Sequence, residues 1–183
     1  MKDAIKQPWI QVGYELFAHE GPKGLKIELL ARKVAKNKSS FYHLFADIEI
    51  FTAELLAYHI AQSKAIAQQA RECAQIDPDL IHLLLNLKVD ILFNRHLRIH
   101  RDNPVFKKCF KEANKPVEEA FLTIWTDALG LNSRKNLAKI ILDLTIENFY
   151  LQVTAKNLTY DWLVGYFEDI KKIVLVMETS DIK

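Results

Sequence analysis

The chain has 183 residues, half of them apolar, and 25 Lys and Arg against 23 Asp and Glu give a formal net charge of only +2. That length admits one large domain or a small one plus a medium one, and the near-balance of charge argues neither for nor against a polyanionic partner. Five Gly, five Pro and no Asn-Gly or Asp-Gly pair argue against a hairpin-rich all-β protein, while Cys73 and Cys109, without CxxC spacing, argue against a disulfide framework and fit a reducing compartment.

In chain order, Pro8 stands where a first helical position is expected, and Gly21-Pro22 stops that helix. Ile10, Tyr14, Phe17 and Ala18 give it an apolar face, extended by Gly13 where close packing is needed. Ile27, Leu30, Ala31 and Val34 predict a short second helix. Ala35-Lys36-Asn37 breaks it, and Phe41, Leu44 and Phe45 predict a short third one, with Asn37 as its N-cap. Two short helices a turn apart read as a helix-turn-helix, whose second member can lie in the major groove of DNA. The charges agree in position: Lys23, Lys26, Arg32, Lys33, Lys36 and Lys38 flank the turn with Glu28 as the one acid between Gly21 and Ala46.

Asp47 is expected to cap a long fourth helix reaching about Ala74. Asp77-Pro78 opens a helix persisting to about His100, Asn103-Pro104 a shorter one, and Pro116 another, with Glu118 and Glu119 in its first turn and Gly130 at its end. Two final helices span 133–155 and 159–177. Leu137, Ile140, Ile141 and Leu144 make one stripe of the first, and Leu142, Ile146, Phe149, Tyr150 and Val153 make another. Trp162, Tyr166, Phe167, Ile170, Ile173, Val174 and Met177 continue the pattern in the last helix. A helix apolar on two sides is buried on two sides, so these helices predict a homodimer packed as a four-helix interface. The whole reads as an all-α fold of about nine helices. No basic-then-apolar leader and no apolar run of about 18 residues is present, so a soluble, cytoplasmic protein without a membrane partner is expected.

The first 55 residues resemble the TetR family of bacterial transcriptional regulators. The residues that carry the likeness are Phe17-Ala18-His19-Glu20-Gly21, Leu30-Ala31, Phe41-Tyr42-His43-Leu44-Phe45 and the acidic helix start near Glu49. The resemblance implies a helix-turn-helix DNA-binding domain at 1–50 and a helical effector-binding and dimerisation domain at 51–183. It implies a ligand-responsive regulator, most simply a repressor, whose dimer binds a near-palindromic operator. Three positions depart from the family pattern: Ala35 stands where the turn usually has Gly, Lys26 where a small hydroxyl residue starts the second helix, and Ile48 where a lysine usually meets phosphate. A Cβ penalises positive φ, so Ala35 is expected to need a slightly different turn.

Early, outward residues of the third helix would read bases: Lys38, Ser39, Ser40 and His43. Lys26, Lys33 and Lys36 are expected to anchor phosphates without reading sequence, and Tyr42 resembles the family tyrosine that bonds the backbone. Effector contacts are expected among helices four to seven, at Tyr58, His82, Asn86, Phe93, His96 and Trp125, a mixed aromatic and polar set suited to a small organic molecule.

Competing chemistry is thin. His96 and His100 share a helix face, but Arg95, Arg98 and Arg101 surround them with positive charge, so neither metal nor cofactor is expected; with Lys107, Lys108 and Lys111 they read as a second basic, solvated region. Asp90, Asp143 and Glu147 lie within apolar helices, yet no Glu-x-x-His pair, phosphate loop or nucleophile elbow accompanies them, so an all-helical enzyme is the weaker reading. A regulator-like ligand binder that has lost DNA binding is the other alternative.

Overall fold

The computed structural model describes residues 2–180. Among them are nine α-helices and no strand: α1 (Lys2–Glu20), α2 (Ile27–Lys33), α3 (Lys38–Phe45), α4 (Ile48–Glu72), α5 (Ile81–Asn86), α6 (Lys88–Ile99), α7 (Pro104–Ala128), α8 (Lys135–Gln152) and α9 (Tyr160–Ser180). A short 3₁₀ turn, Gly21–Gly24, follows α1, and an irregular turn, Ile76–Leu80, precedes α5. No helix of the described residues is long and apolar enough to cross a membrane.

The helix total agrees with the sequence expectation, but two boundaries differ in compensating ways. The helix expected from Asp77-Pro78 to His100 is two helices: Asp77 is non-helical (φ −110°, ψ 122°), and Leu87 (φ −97°, ψ 24°) separates α5 from α6. The two helices expected on either side of Pro116 are one, because α7 runs through the proline. Pro116 has no N–H for the Glu112 carbonyl, a loss of about 3 kcal/mol in a helix interior. Burial of Cys109, Phe110 and Ala113 before it and of Ala120, Ile124 and Trp125 after it holds both halves in place and outweighs that loss. Pro8, expected at a first helical position, likewise sits inside α1. There the sacrificed ladder bond belongs to Ala4, close to the helix end, where one missing bond disturbs little.

The chain groups into two compact units, Met1–Ser63 with Val89–Ala113, and Lys64–Lys88 with Asn114–Lys183. This packing division falls inside α4, and it assigns most of α6 and the start of α7 to the same unit as α1–α3.

The first unit is built on aromatic rings. Trp9, Phe41, Phe45 and Phe51 are almost fully buried, with Phe41 centred 5.5 Å from Trp9, 5.2 Å from Phe45 and 5.4 Å from Phe51. Phe51 lies against Gly13 so closely that a Cβ there would stand 2.4 Å from its Cζ, which is why α1 carries glycine at that step. The second unit buries Leu80, Ile81 and Leu84 together with Leu142, Phe149, Leu158, Leu163 and Tyr166.

Candidate nucleic-acid interface and interior cavity

Helix α2 ends in a Schellman motif: Lys36 N–H donates to Ala31 O at 2.9 Å and Ala35 N–H to Arg32 O at 3.2 Å. Ala35 adopts φ +55° to make it. The departure from glycine therefore keeps the left-handed turn and carries strain, rather than changing the turn as the sequence suggested. Asn37 caps α3, its Oδ1 accepting from Ser40 N–H at 2.8 Å. Beyond α3, Ala46 (φ 58°, ψ −54°) forms a tight turn closed by Asp47 N–H to Phe45 O at 2.6 Å, and Asp47 Oδ1 then caps α4 by accepting from Ile50 N–H at 2.7 Å. Both ends of α3 are thus pinned, and Phe41 and Phe45 fix its inner face to the aromatic core.

The outward face is what the sequence named. Lys26, Lys33, Lys36, Lys38, Ser39, Tyr42 and His43 are exposed, and Ser40 is half-buried. They are not all equally available. Lys38 Nζ is 2.5 Å from Glu28 Oε1, and that ion pair holds the Glu28 carboxyl below its ordinary pKa. The Ser40 hydroxyl donates to Asn37 Oδ1 at 2.8 Å, so part of its bonding capacity serves the cap. Lys26 occupies the extended N-cap position of α2 without a side-chain cap bond, as the loss of a hydroxyl there implies. The arrangement presents a helix N-terminus and a fringe of lysines, which is chemistry for a phosphate backbone.

The six residues named for effector contact are divided between the two units. Tyr58, Phe93 and His96 belong to the first unit, and His82, Asn86 and Trp125 to the second. Phe93 is fully buried, stacked 4.4 Å from both Tyr14 and His59. Tyr58 packs edge-on to Tyr14, and its hydroxyl accepts from Gln62 Nε2 at 2.8 Å. His96 lies against Gly21, with its pKa pushed down to about 4 by burial and by Arg95 and His100. His82 and Asn86 are exposed. In the second basic region Arg98 is buried rather than solvated, while Arg101, Lys107, Lys108 and Lys111 are exposed.

Trp125 alone of the six lines the cavity of the second unit, a small space of about 60 Å³. Its walls are rings and aliphatic side chains: Phe121, Trp125, Phe149, Tyr150, Tyr166 and Phe167 alternate with residues such as Leu80, Leu84 and Leu142. Three polar side chains interrupt them. Asn114 is buried and accepts from the Tyr150 hydroxyl at 3.2 Å, Thr145 is buried, and Glu118 is half-buried. Trp125 Nε1 donates to Ala138 O at 3.1 Å and the Tyr166 hydroxyl to Thr145 O at 2.8 Å, so these donors are satisfied within the wall. Sequence reasoning missed Asn114, Glu118, Phe121 and the rings of α8 and α9. Its available signal was Pro116, which falls amid Asn114, Val117, Glu118 and Phe121 on the cavity wall.

The apolar stripes of α8 differ in exposure, with Leu137, Ile141 and Ile146 half-buried between the extremes. Leu142, Phe149, Tyr150 and Val153 are buried, whereas Ile140, Leu144 and Leu151 are more than half exposed, as are Ile173, Leu175 and Met177 of α9.

No family model matches this chain, and no curated protein matches it. Among solved structures it superposes on a candidate TetR-family transcriptional regulator from Mesorhizobium loti MAFF303099, with a TM-score of 0.61 over 97% of this chain and 98% of that one, at 14% sequence identity. The chain has the TetR-family fold. The likeness spans nearly the whole of both chains, so it extends well past the 55 residues that carried the resemblance in sequence. In this fold, α2 and α3 are the two short helices that the sequence analysis reads as a helix-turn-helix.

Proposed function

We propose that this protein is a DNA-binding transcriptional regulator that acts as a homodimer and responds to a small organic effector. The observation that carries this reading is α3 itself: a helix capped at Asn37, pinned by two buried phenylalanines, and fringed on its open face by exposed lysines with Ser39, Tyr42 and His43 among them. Rigid backing and an open basic face are what insertion into a groove requires. Lys26, Lys33 and Lys36 would grip phosphates, with Tyr42 beside them, while Lys38, Ser39, Ser40 and His43 would meet base edges.

The exposed stripes of α8 and α9 would pair with those of a second copy and hold two such heads for a near-palindromic site. The ring-lined cavity would take the effector, which must prefer one spacing of the heads to alter DNA affinity. Nothing in this reading calls for a reaction or a cofactor, and its natural place is the cytoplasm beside the chromosome. The test is fluorescence anisotropy of the purified chain with duplex DNA from upstream of its own gene, at several salt concentrations. Tight, salt-sensitive, sequence-preferring binding is expected. Equal, weak affinity for that duplex and for random DNA would leave a ligand binder without DNA function.

A further inference from the structure

The cavity of the second unit has a chemical bias that its apolar walls alone do not explain. Glu118 is a half-buried carboxyl at a wall otherwise made of rings, aliphatic side chains and the uncharged Asn114 and Thr145. Among the described residues it makes no hydrogen bond or ion pair, and no basic side chain lines the cavity with it. Its neighbours add negative charge: Asp143, Glu147 and Glu119 all push the Glu118 pKa upward, after burial, which pushes it most. Lys139 acts in the opposite sense from the surface, but it is already bound to Asp143 at 2.8 and 3.1 Å. An acid left without a protein partner beside aromatic faces is a site for a cation, since the carboxylate supplies the charge and the ring faces supply the attraction of their quadrupoles.

We propose that this cavity takes an organic monocation with an apolar body, an alkyl- or arylalkyl-ammonium, with its charged head at the Glu118 carboxylate and its body among Phe121, Trp125, Phe149 and Phe167. The Asn114 side chain, already accepting from Tyr150, stands on the same wall and can share the head's remaining donors. This assignment rests on reading the second unit as an effector domain. It deepens that reading by fixing the charge class of the effector.

The test is calorimetry on the full chain at neutral pH with three probes of one shape, phenylbutylamine, phenylbutanol and phenylbutyrate. The amine is expected to bind at least about tenfold more tightly than the alcohol, and the carboxylate most weakly. Glu118→Gln, which keeps the shape of the side chain, is expected to erase the amine's advantage and leave the alcohol unchanged. The comparison of probes on the unaltered chain stands even if that variant folds poorly. An alcohol that binds as well as the amine, an advantage that survives Glu118→Gln, or no binding by any probe would overturn the assignment. Anisotropy with the upstream duplex separates the two claims. Glu118-dependent amine binding that leaves DNA affinity unchanged would uphold the site and overturn the effector reading.

Discussion

The Tyr14 hydroxyl donates to Asp90 Oδ1 at 2.7 Å, tying α1 to α6 through the interior of the first unit. The same oxygen lies 2.6 Å from His59 Nδ1, and His59 Nε2 lies 3.1 Å from Asn94 Oδ1, so one hydroxyl joins three helices. A neutral imidazole carries one N–H, so the proton positions along this chain are coupled. Burial pushes the Tyr14 pKa up, with Asp90 adding to it, and keeps the phenol protonated as the donor to Asp90. Tyr14→Phe would leave Asp90 and His59 each short of a partner inside the protein. It is expected to lower stability by about 1–3 kcal/mol, read by chemical denaturation, because an unsatisfied buried polar group costs more than the bond itself contributed. A change within a few tenths of a kcal/mol would show that water replaces the hydroxyl.

Acid should weaken the fold through the histidines. His59 has its pKa pushed from 6.5 down to about 4 by burial, against the opposing hydrogen bond to Asn94, and His96 is shifted equally. Between about pH 6.5 and 4 the unfolded chain therefore binds more protons than the folded one. The stability involved is complete above that window and is lost as pH falls through it. Asp90 and Glu118 work the other way, since burial raises their pKa values and the folded chain takes those protons first, offsetting part of the loss. The melting temperature is expected to fall from pH 7 to 4.5, and His59→Gln to flatten that fall while lowering the value at pH 7. An identical slope in the variant would remove His59 as a cause.

The parts legible in sequence are those that local chemistry decides. Asn37 could be named as a cap because its partner, Ser40 N–H, is three residues away. Gly13 could be named as a close approach from the apolar face around it, though not that Phe51 was the neighbour. Glu118 could not be placed, because its character comes from rings on α8 and α9 that only tertiary packing brings to it. His59 looked like any helix residue, and only Tyr14 and Asn94, far away in sequence, make it a buried neutral base. Pro116 misled for the opposite reason: its local rule is strong, yet burial on both sides of it decides.

Two helix ends in this protein use the same motif with different residues. Gly130 ends α7 at φ +69°, while Ala35 ends α2 at φ +55°. Glycine accepts that region without strain and alanine does not. Ala35→Gly is therefore expected to stabilise the chain by about 0.5–1 kcal/mol in thermal or denaturant unfolding. DNA affinity should hold or rise, since the turn geometry is already the one glycine prefers. A loss of stability would mean that the alanine methyl contributes more packing than its exposed position suggests.

Charge around α3 gives a pair of opposed outcomes. Lys33→Ala removes an exposed phosphate anchor, so it should weaken binding to all duplexes alike and reduce the salt slope by about 1. Glu28→Gln removes the acid that holds Lys38, so Lys38 is released and the basic face gains one net charge. Affinity for DNA is expected to rise and the salt slope to steepen. Anisotropy across a salt series measures both, and weaker binding by Glu28→Gln would mean that the ion pair orients Lys38 for its contact.

Leu144 tests the pairing of two copies. It is 66% exposed on α8, one turn from Ile140 at 57%, with Leu151 two turns further on at 54%. Asp143, beside it in sequence, is tied to Lys139, while Glu147 falls between Leu144 and Leu151 on the same helix face. Leu144→Glu puts a carboxylate into whatever covers that stripe and is expected to weaken dimerisation at least about tenfold. Sedimentation should then show the mass of one chain at concentrations where the unaltered protein shows two. Affinity for a palindromic duplex should fall along with it, while a half-site duplex is bound as before. A Leu144→Glu chain that keeps its helical signal and sediments as a dimer would place the interface on another surface.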